Sequence, residues 1–222
     1  MANILRQLNC IVCRRLYGFM LVWWMMKGER EAVLLERAGV EEKGYNWVEA
    51  AKLYEEAAKS FLGKKMVEKA AGAYKKFGYA CARVAGAAET AEEYVERYRR
   101  AVEAYKEAAS LFGQSGNRPE ELECEAEALY VSGFVAGSVV EAKKAFSQSY
   151  ELFIESSEFY SKETDQKSLA RTLSRAAWAS TYLVTYCSDR WEIEQVTQKG
   201  RDVADKAWKL SKDVEDLQSL EE

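Results

Sequence analysis

Histidine is absent from this 222-residue sequence, and proline occurs once, at Pro119. Without histidine the chain has no histidine base, no histidine metal ligand and no Ser-His or Cys-His nucleophile. Its glycines form neither a phosphate-binding P-loop nor the glycine-rich turn of a dinucleotide-binding unit. These absences predict that the protein is not an enzyme and that it binds no cofactor.

The sequence has five cysteines. An odd number makes a framework of disulfide bonds improbable and favours a reducing, cytoplasmic location. Cys10 and Cys13 form one CxxC pair, but a structural zinc site needs four ligands, and the sequence offers no histidine to complete it. No metal site is therefore predicted. The other three, Cys81, Cys124 and Cys187, fall on or beside the apolar faces of predicted helices.

The charge balance is acidic, with a formal net charge of −4. Net acidity argues against nucleic acid as the main partner. Paired carboxylates such as Glu55-Glu56 and Glu120-Glu121 are neighbours in sequence, so on a helix they point about 100° apart. We expect them to be solvated surface residues and not a catalytic pair.

The composition favours helices throughout, because the chain is rich in Ala, Glu, Lys, Leu and Tyr and lacks the alternation of apolar and polar residues that marks strands. We predict an all-α protein. Thr90 with Glu93 has the form of a capping box at a helix start, and Asp189 with Glu192 gives a similar signal. The segments that read as breaks between helices are Gly63 to Lys65, Gly113 to Pro119 and Ser161 to Lys167.

Residues 1–26 differ from the rest and are expected to be a hydrophobic leader. Arg14 and Arg15 precede the apolar run from Leu16 to Met26, whose eleven residues are too few to span a bilayer, for which about 20 are needed. The favoured interpretation is an over-extended start ahead of Met25 or Met26. The alternatives are an anchor lying in the membrane interface and a hydrophobic helix packed on the end of the protein.

A pattern of small and aromatic residues recurs along the chain. The stretch YNWVEAAKLYEEAAKSF runs from Tyr45 to Phe61. Its Trp47 aligns with Tyr98 after a step of 51 residues, and Tyr98 aligns with Phe146 after a step of 48. Recurrence at a nearly constant step is typical of helical repeats, in which aromatic residues of one layer fill gaps left by small residues in the next. We expect about three helix pairs plus capping helices in a single domain of residues 27–222. An up-and-down helix bundle is the alternative.

The first repeat resembles the tetratricopeptide repeat family. Trp47, Ala50 and Tyr54 lie on one helix, and Ala70 with an aromatic residue at Phe77 follows on the next. The resemblance covers about residues 45–188 and implies an α-solenoid, a right-handed array of antiparallel helix pairs. The family's unit is 34 residues, so steps of 51 and 48 imply longer helices, similar to those of SNAP-type adaptors.

In that family the leading helix of each pair lines a concave face that binds partner peptides. The mixed charge of the corresponding positions does not match the family's clamp for a C-terminal carboxylate. The resemblance implies a non-enzymatic protein-protein interaction module or scaffold; the alternative is a membrane-associated adaptor anchored through residues 16–26. By position, the partner-binding residues would be Val48, Lys52, Glu55, Arg99, Glu103, Lys106 and Glu151.

Overall fold

A computed structural model describes the backbone of residues 30–214 and the side chains of residues 30–212. Within that part of the chain there are eight α-helices and no strand, which confirms the all-α prediction. The expected leader, residues 1–26, with its Cys10-Cys13 pair, lies outside the described residues. The helices are α1 (30–43), α2 (Trp47–Gly63), α3 (Val67–Ala85), α4 (Ala91–Ser115), α5 (Arg118–Gly133), α6 (Val139–Glu163), α7 (Gln166–Val184) and α8 (Arg190–Val214).

Each helix from α2 to α8 packs along its length against its neighbours in sequence. Side chains also join helices that are two apart: Arg100 of α4 lies 3.3 Å from Glu55 of α2, and Lys143 of α6 lies 2.6 Å from Glu192 of α8. Between residues 30 and 214, no helix is long and apolar enough to cross a membrane.

The helix ends follow local capping chemistry. The Thr90 hydroxyl accepts a hydrogen bond from the Glu93 N–H at 3.1 Å, and the Asp189 carboxylate accepts one from the Glu192 N–H at 2.8 Å, as predicted. The predicted loop from Gly113 to Pro119 is much shorter, because α4 continues to Ser115 and α5 already begins at Arg118. Gly116, with φ of +77°, ends α4 in the left-handed region that glycine adopts at no steric cost.

The core is built from alanines and glycines packed against aromatic rings. Ala50, Ala57 and Ala70 are fully buried. A methyl group on Gly133 would lie 2.5 Å from the ring of Phe146, so α5 and α6 approach each other at that point more closely than an alanine would allow. This close packing of small residues on rings agrees with the pattern that recurs in the sequence.

Candidate functional site

A buried cluster of charges joins α3, α5 and α7, with Glu123 of α5 at its centre. Glu123 is only 2% exposed. Its Oε1 accepts hydrogen bonds from Lys75 Nζ of α3 at 2.7 Å and from Arg171 Nε of α7 at 3.2 Å. Its Oε2 accepts from Arg171 Nη2 at 2.9 Å and from the Tyr160 hydroxyl of α6 at 3.2 Å. One carboxylate thus bonds to side chains of three other helices.

A second ion pair lies one helical turn further along. Arg175 of α7 binds Glu127 of α5 through two parallel hydrogen bonds, Nε to Oε1 at 2.6 Å and Nη2 to Oε2 at 2.5 Å. The guanidinium also lies 4.6 Å from the centroid of the Tyr130 ring. A bidentate pair of this kind fixes geometry as well as charge, so α5 and α7 are held in one register.

The surroundings of Glu123 keep it ionised. Burial acts to raise the pKa of this carboxyl, but the Lys75 ammonium and the Arg171 guanidinium outweigh burial and lower its pKa from 4.5 to about 2. The effect on Arg171 is reciprocal, since the Glu123 carboxylate raises the pKa of that guanidinium. At neutral pH the cluster therefore consists of fully charged partners.

The low pKa of Glu123 predicts a pH-dependent contribution to stability. Because its pKa is lower in the folded protein than the ordinary 4.5, the ion pairs stabilise the fold fully above about pH 4.5, and this stabilisation is lost as the pH falls towards about 2. We expect the difference in free energy of unfolding between the parent and Glu123→Gln, measured by urea denaturation, to shrink over this range. The matched variant Glu125→Gln should show no such loss, since burial raises the pKa of Glu125 instead. A difference that stays constant from pH 7 to pH 3 would contradict the assignment.

The cysteines do not add reactive groups to this region. Cys81 and Cys124 are buried, and Cys187 is partly buried. Burial raises the pKa of Cys81 to about 12 and that of Cys124 well above its ordinary value, which disfavours the thiolate needed for nucleophilic attack or metal binding. Across residues 30–214, no group of three or more acidic or cysteine side chains is placed to hold a metal ion.

A groove of about 760 Å³ lies beside the charge cluster. The C-terminal halves of α3, α5 and α7 line it, together with residues of α2 and α4. Tyr79, Tyr105 and Arg175 line both the groove and the space above the cluster. None of the described residues that line the groove carries a carboxylate. Its aromatic lining residues are Trp47, Tyr79, Tyr94, Tyr98, Tyr105, Tyr130, Phe134, Trp178 and Tyr182.

The aromatic rings of the groove hold one another in place. Phe134 packs edge-on against Tyr182, with ring centroids 4.7 Å apart, and stacks on Tyr98 at 5.5 Å. Burial raises the pKa of the Tyr98 and Tyr130 hydroxyls, so both stay protonated and able to donate hydrogen bonds. Trp178, by contrast, is 42% exposed. The groove is thus a preformed aromatic surface with an exposed tryptophan on its rim.

Arg83 is the exposed cation of the groove. Its guanidinium carbon lies 5.2 Å from the ring centroid of Trp47 and 5.9 Å from that of Tyr79. Arg83 makes no ion pair with any described residue, whereas Arg175, the other arginine of the groove, is paired with Glu127. A guanidinium stacked on rings keeps its in-plane N–H groups available to an acceptor.

The residues predicted to bind a partner lie elsewhere. Val48, Lys52 and Glu55 are on α2, and Arg99, Glu103 and Lys106 are on α4; five of these six side chains are exposed and Glu55 is partly buried. None of them lines the aromatic groove. Glu151 of α6 is brought to a different hollow, of about 470 Å³, between α6 and α8. The leading-helix surface stays a prediction, and the structure does not gather its seven residues into one pocket.

One sequence prediction in this region is wrong. Glu120 was expected on the solvated surface, but its carboxylate lies 2.8 Å from Lys75 Nζ and 3.0 Å from the Tyr160 hydroxyl, whose single proton it shares with Glu123. The Glu120 side chain is only 22% exposed. It therefore belongs to the charge cluster, because the first turn of α5 faces α3 and α6.

No family model matches the chain, and no curated protein matches it. Among solved structures the chain is similar to "DHF58 filament", with 15% identity and a TM-score of 0.40 over 92% of this chain and all of that one. It is also similar to "DHF119 filament", with 15% identity and a TM-score of 0.36 over 87% of this chain and 98% of that one. These comparisons assign no family. The resemblance to tetratricopeptide repeats stays an expectation from the sequence, and the function is inferred from the geometry alone.

Proposed function

We propose that this protein is a non-enzymatic interaction module whose helix pairs form an α-solenoid and whose aromatic groove binds a segment of a partner protein. Two features support the solenoid. The helices pack extensively only on their sequence neighbours within α2 to α8, and ion pairs link helices two apart. Both are typical of layered helical arrays, in which each unit contacts only the next.

The aromatic groove is the observation that carries this proposal. Six of its nine aromatic side chains are partly exposed and Trp178 is exposed, so a partner segment can contact several rings at once. Tyrosine and tryptophan are the side chains most enriched at the energetic centres of protein interfaces, where they combine a large apolar area with a polar tip. Trp178, on the rim of the groove, is placed to make such a contact.

The carboxylates beside the groove favour binding over catalysis. A general acid or base needs a pKa near the working pH. Glu123 is instead held ionised by Lys75 and Arg171, and Glu127 is occupied by both hydrogen bonds from Arg175. These ion pairs stabilise the wall of the groove, and the aromatic side chains of the groove are the groups that can contact a partner.

Selection of a displayed library of random peptides on the purified protein tests the proposal. We expect the parent to enrich binding peptides and Trp178→Asp to lose at least about tenfold in affinity for them, because an anchoring tryptophan contributes about 2 kcal/mol or more. Trp208→Asp is the matched control, since Trp208 is 49% exposed on α8 and does not line the groove. It should bind the same peptides with unchanged affinity.

A third variant, Lys52→Glu with Arg99→Glu and Glu103→Lys, changes the leading-helix surface. It too should keep the affinity of the parent. Peptides that bind Trp178→Asp normally but fail on this triple variant would place the binding site on the leading helices instead. Failure of the parent to enrich any peptide would contradict a peptide-binding role.

A further inference from the structure

We propose that the partner segment is an acidic peptide in which an Asp or Glu lies next to a large apolar side chain, and that Arg83 binds its carboxylate. This inference rests on the proposed function of the groove.

The charge of the groove favours an anionic partner. Arg83 and Arg175 line it, and none of its described lining residues is acidic. Glu127 neutralises Arg175, which leaves the positive charge of Arg83 without a counter-ion among the described residues. An apolar partner without an acidic group would cover this guanidinium and leave it without a hydrogen-bond acceptor, at a cost in binding free energy.

The position of Arg83 suits a carboxylate. Its guanidinium lies over the rings of Trp47 and Tyr79, which limits the orientations of the long side chain before a partner arrives. Carboxylates accept two parallel hydrogen bonds from a guanidinium, so a partly ordered arginine loses less conformational freedom when it binds one. The single positive charge of Arg83 is thus matched by the single negative charge of an Asp or Glu side chain.

The alternatives fit this charge less well. A phosphorylated side chain carries close to two negative charges and is usually bound by a cluster of basic residues. Nucleic acid binding depends on many contacts between basic side chains and phosphates. The groove offers only one unpaired arginine, Arg83, and the protein as a whole has a net negative charge. A protein carboxylate flanked by an apolar anchor matches both the single guanidinium and the aromatic surface around it.

The apolar anchor has a defined place beside Arg83. Trp47, Tyr79, Tyr98 and Trp178 line the same groove, and Trp178 is the most exposed of them. A leucine, phenylalanine or tryptophan within about four residues of the acidic side chain would reach these rings in an extended or a helical peptide. The expected signature is therefore a pair of residue types at short spacing and not acidity alone.

Charge reversal at Arg83 tests the inference through the composition of selected peptides. The same random library is selected in parallel on the parent, Arg83→Gln, Arg83→Glu and the control Arg99→Glu, which changes an exposed arginine of α4 outside the groove. The parent and Arg99→Glu should enrich Asp or Glu beside a large apolar residue. Arg83→Gln should keep the apolar preference and lose the acidic one, and Arg83→Glu should enrich Lys or Arg at that place.

Binding by individual selected peptides supplies the second measurement. A synthetic fluorescein-labelled peptide from the parent selection should bind Arg83→Glu about tenfold or more weakly at low salt, and the difference should decrease as salt is added. Thermal unfolding followed by circular dichroism should show only a small decrease in stability, because Arg83 is exposed and the substitution removes its contacts with Trp47 and Tyr79 and its favourable charge in the last turn of α3.

The outcomes separate this inference from the proposal on which it rests. If Arg83→Glu enriches the same acidic peptides as the parent, Arg83 does not recognise the partner and the inference is wrong. If the parent enriches apolar peptides with no preference for Asp or Glu, and Trp178→Asp does not bind them, the groove remains the binding site. Only the inference of an acidic partner is then wrong. If no peptide is enriched on any of these proteins, both proposals are wrong.

Discussion

Replacing Glu123 with glutamine is expected to lower the free energy of unfolding by about 3–5 kcal/mol, the usual cost of removing one partner from a buried ion pair. Glutamine has the same shape but no charge, so Lys75 and Arg171 would be left without the carboxylate that each of them contacts most closely. Glu120 lies 2.8 Å from Lys75 and 3.6 Å from Arg171 and compensates in part, which favours the lower end of this range. Urea denaturation at pH 7 measures the effect.

The matched control for Glu123→Gln is Glu125→Gln on the same helix. Glu125 is partly buried, makes no ion pair with any described residue and lies near the like charges of Glu121 and Glu155. Removal of its charge should change the free energy of unfolding by less than about 0.5 kcal/mol or raise it slightly. Equal effects of the two substitutions would show that the charge cluster does not hold α3, α5 and α7 together.

Replacing Phe146 with alanine should cost about 3–5 kcal/mol, the range for removing a large aromatic side chain from a core. Phe146 is fully buried, and its ring lies within 6 Å, centroid to centroid, of Tyr130, Phe134, Tyr182 and Tyr186. Three of these four rings line the groove. Selected peptides should therefore also bind this variant more weakly. Thermal or urea unfolding gives the first result and peptide titration the second.

Gly133 offers an internal control for the loss at Phe146. A methyl group there would lie 2.5 Å from the Phe146 ring, so Gly133→Ala alone should destabilise the parent by about 1–3 kcal/mol. In the Phe146→Ala background the same methyl would occupy vacated space, and its cost should largely disappear. Additive effects of the two substitutions would contradict the close contact between α5 and α6. Phe159→Ala, at a partly buried position on α6, should have a smaller effect than Phe146→Ala.

The elements that the sequence predicted well are those set by neighbouring residues. Thr90 and Asp189 cap their helices as expected, because such caps depend on residues three apart. The recurring alanines and aromatic residues do form the core. The break from Gly113 to Pro119 was overestimated because α4 runs on to Ser115 and a single glycine, Gly116, in the left-handed region ends it.

The charge cluster was missed because its partners are far apart in the sequence. Glu123 and Glu127 lie in a segment whose glutamates suggest an exposed face, yet α5 packs between α4 and α6 and its charged residues also meet α3 and α7. A signal was present: Lys75, Glu123 and Arg171 are separated by steps of 48 residues, and Glu127 and Arg175 by the same step. That spacing equals the second step of the recurring pattern, so opposite charges at the repeat distance predict contact between helices two apart.

The groove was missed for a related reason. The resemblance implies a partner on the outer surface of the leading helices, which stays a prediction. The aromatic groove is lined by the returning helices α3, α5 and α7 together with Trp47 of α2 and three tyrosines of α4, Tyr94, Tyr98 and Tyr105. Tyr79, Tyr130 and Tyr182 fall on stripes that also supply core residues, and spacing alone does not distinguish a ring that is covered from one that borders a cavity. Only the packing of the helices around these rings reveals the groove.

The most direct test of the central claim is to locate a bound peptide on the protein. A selected peptide carrying a photoreactive benzophenone side chain is crosslinked to the parent, and mass spectrometry identifies the attached residue. We predict attachment within the groove, on segments that contain Tyr79, Arg83, Phe134, Trp178 or Tyr182. Attachment to Lys52, Glu103 or Lys106, which lie on the leading helices α2 and α4 and do not line the groove, would contradict the groove as the binding site.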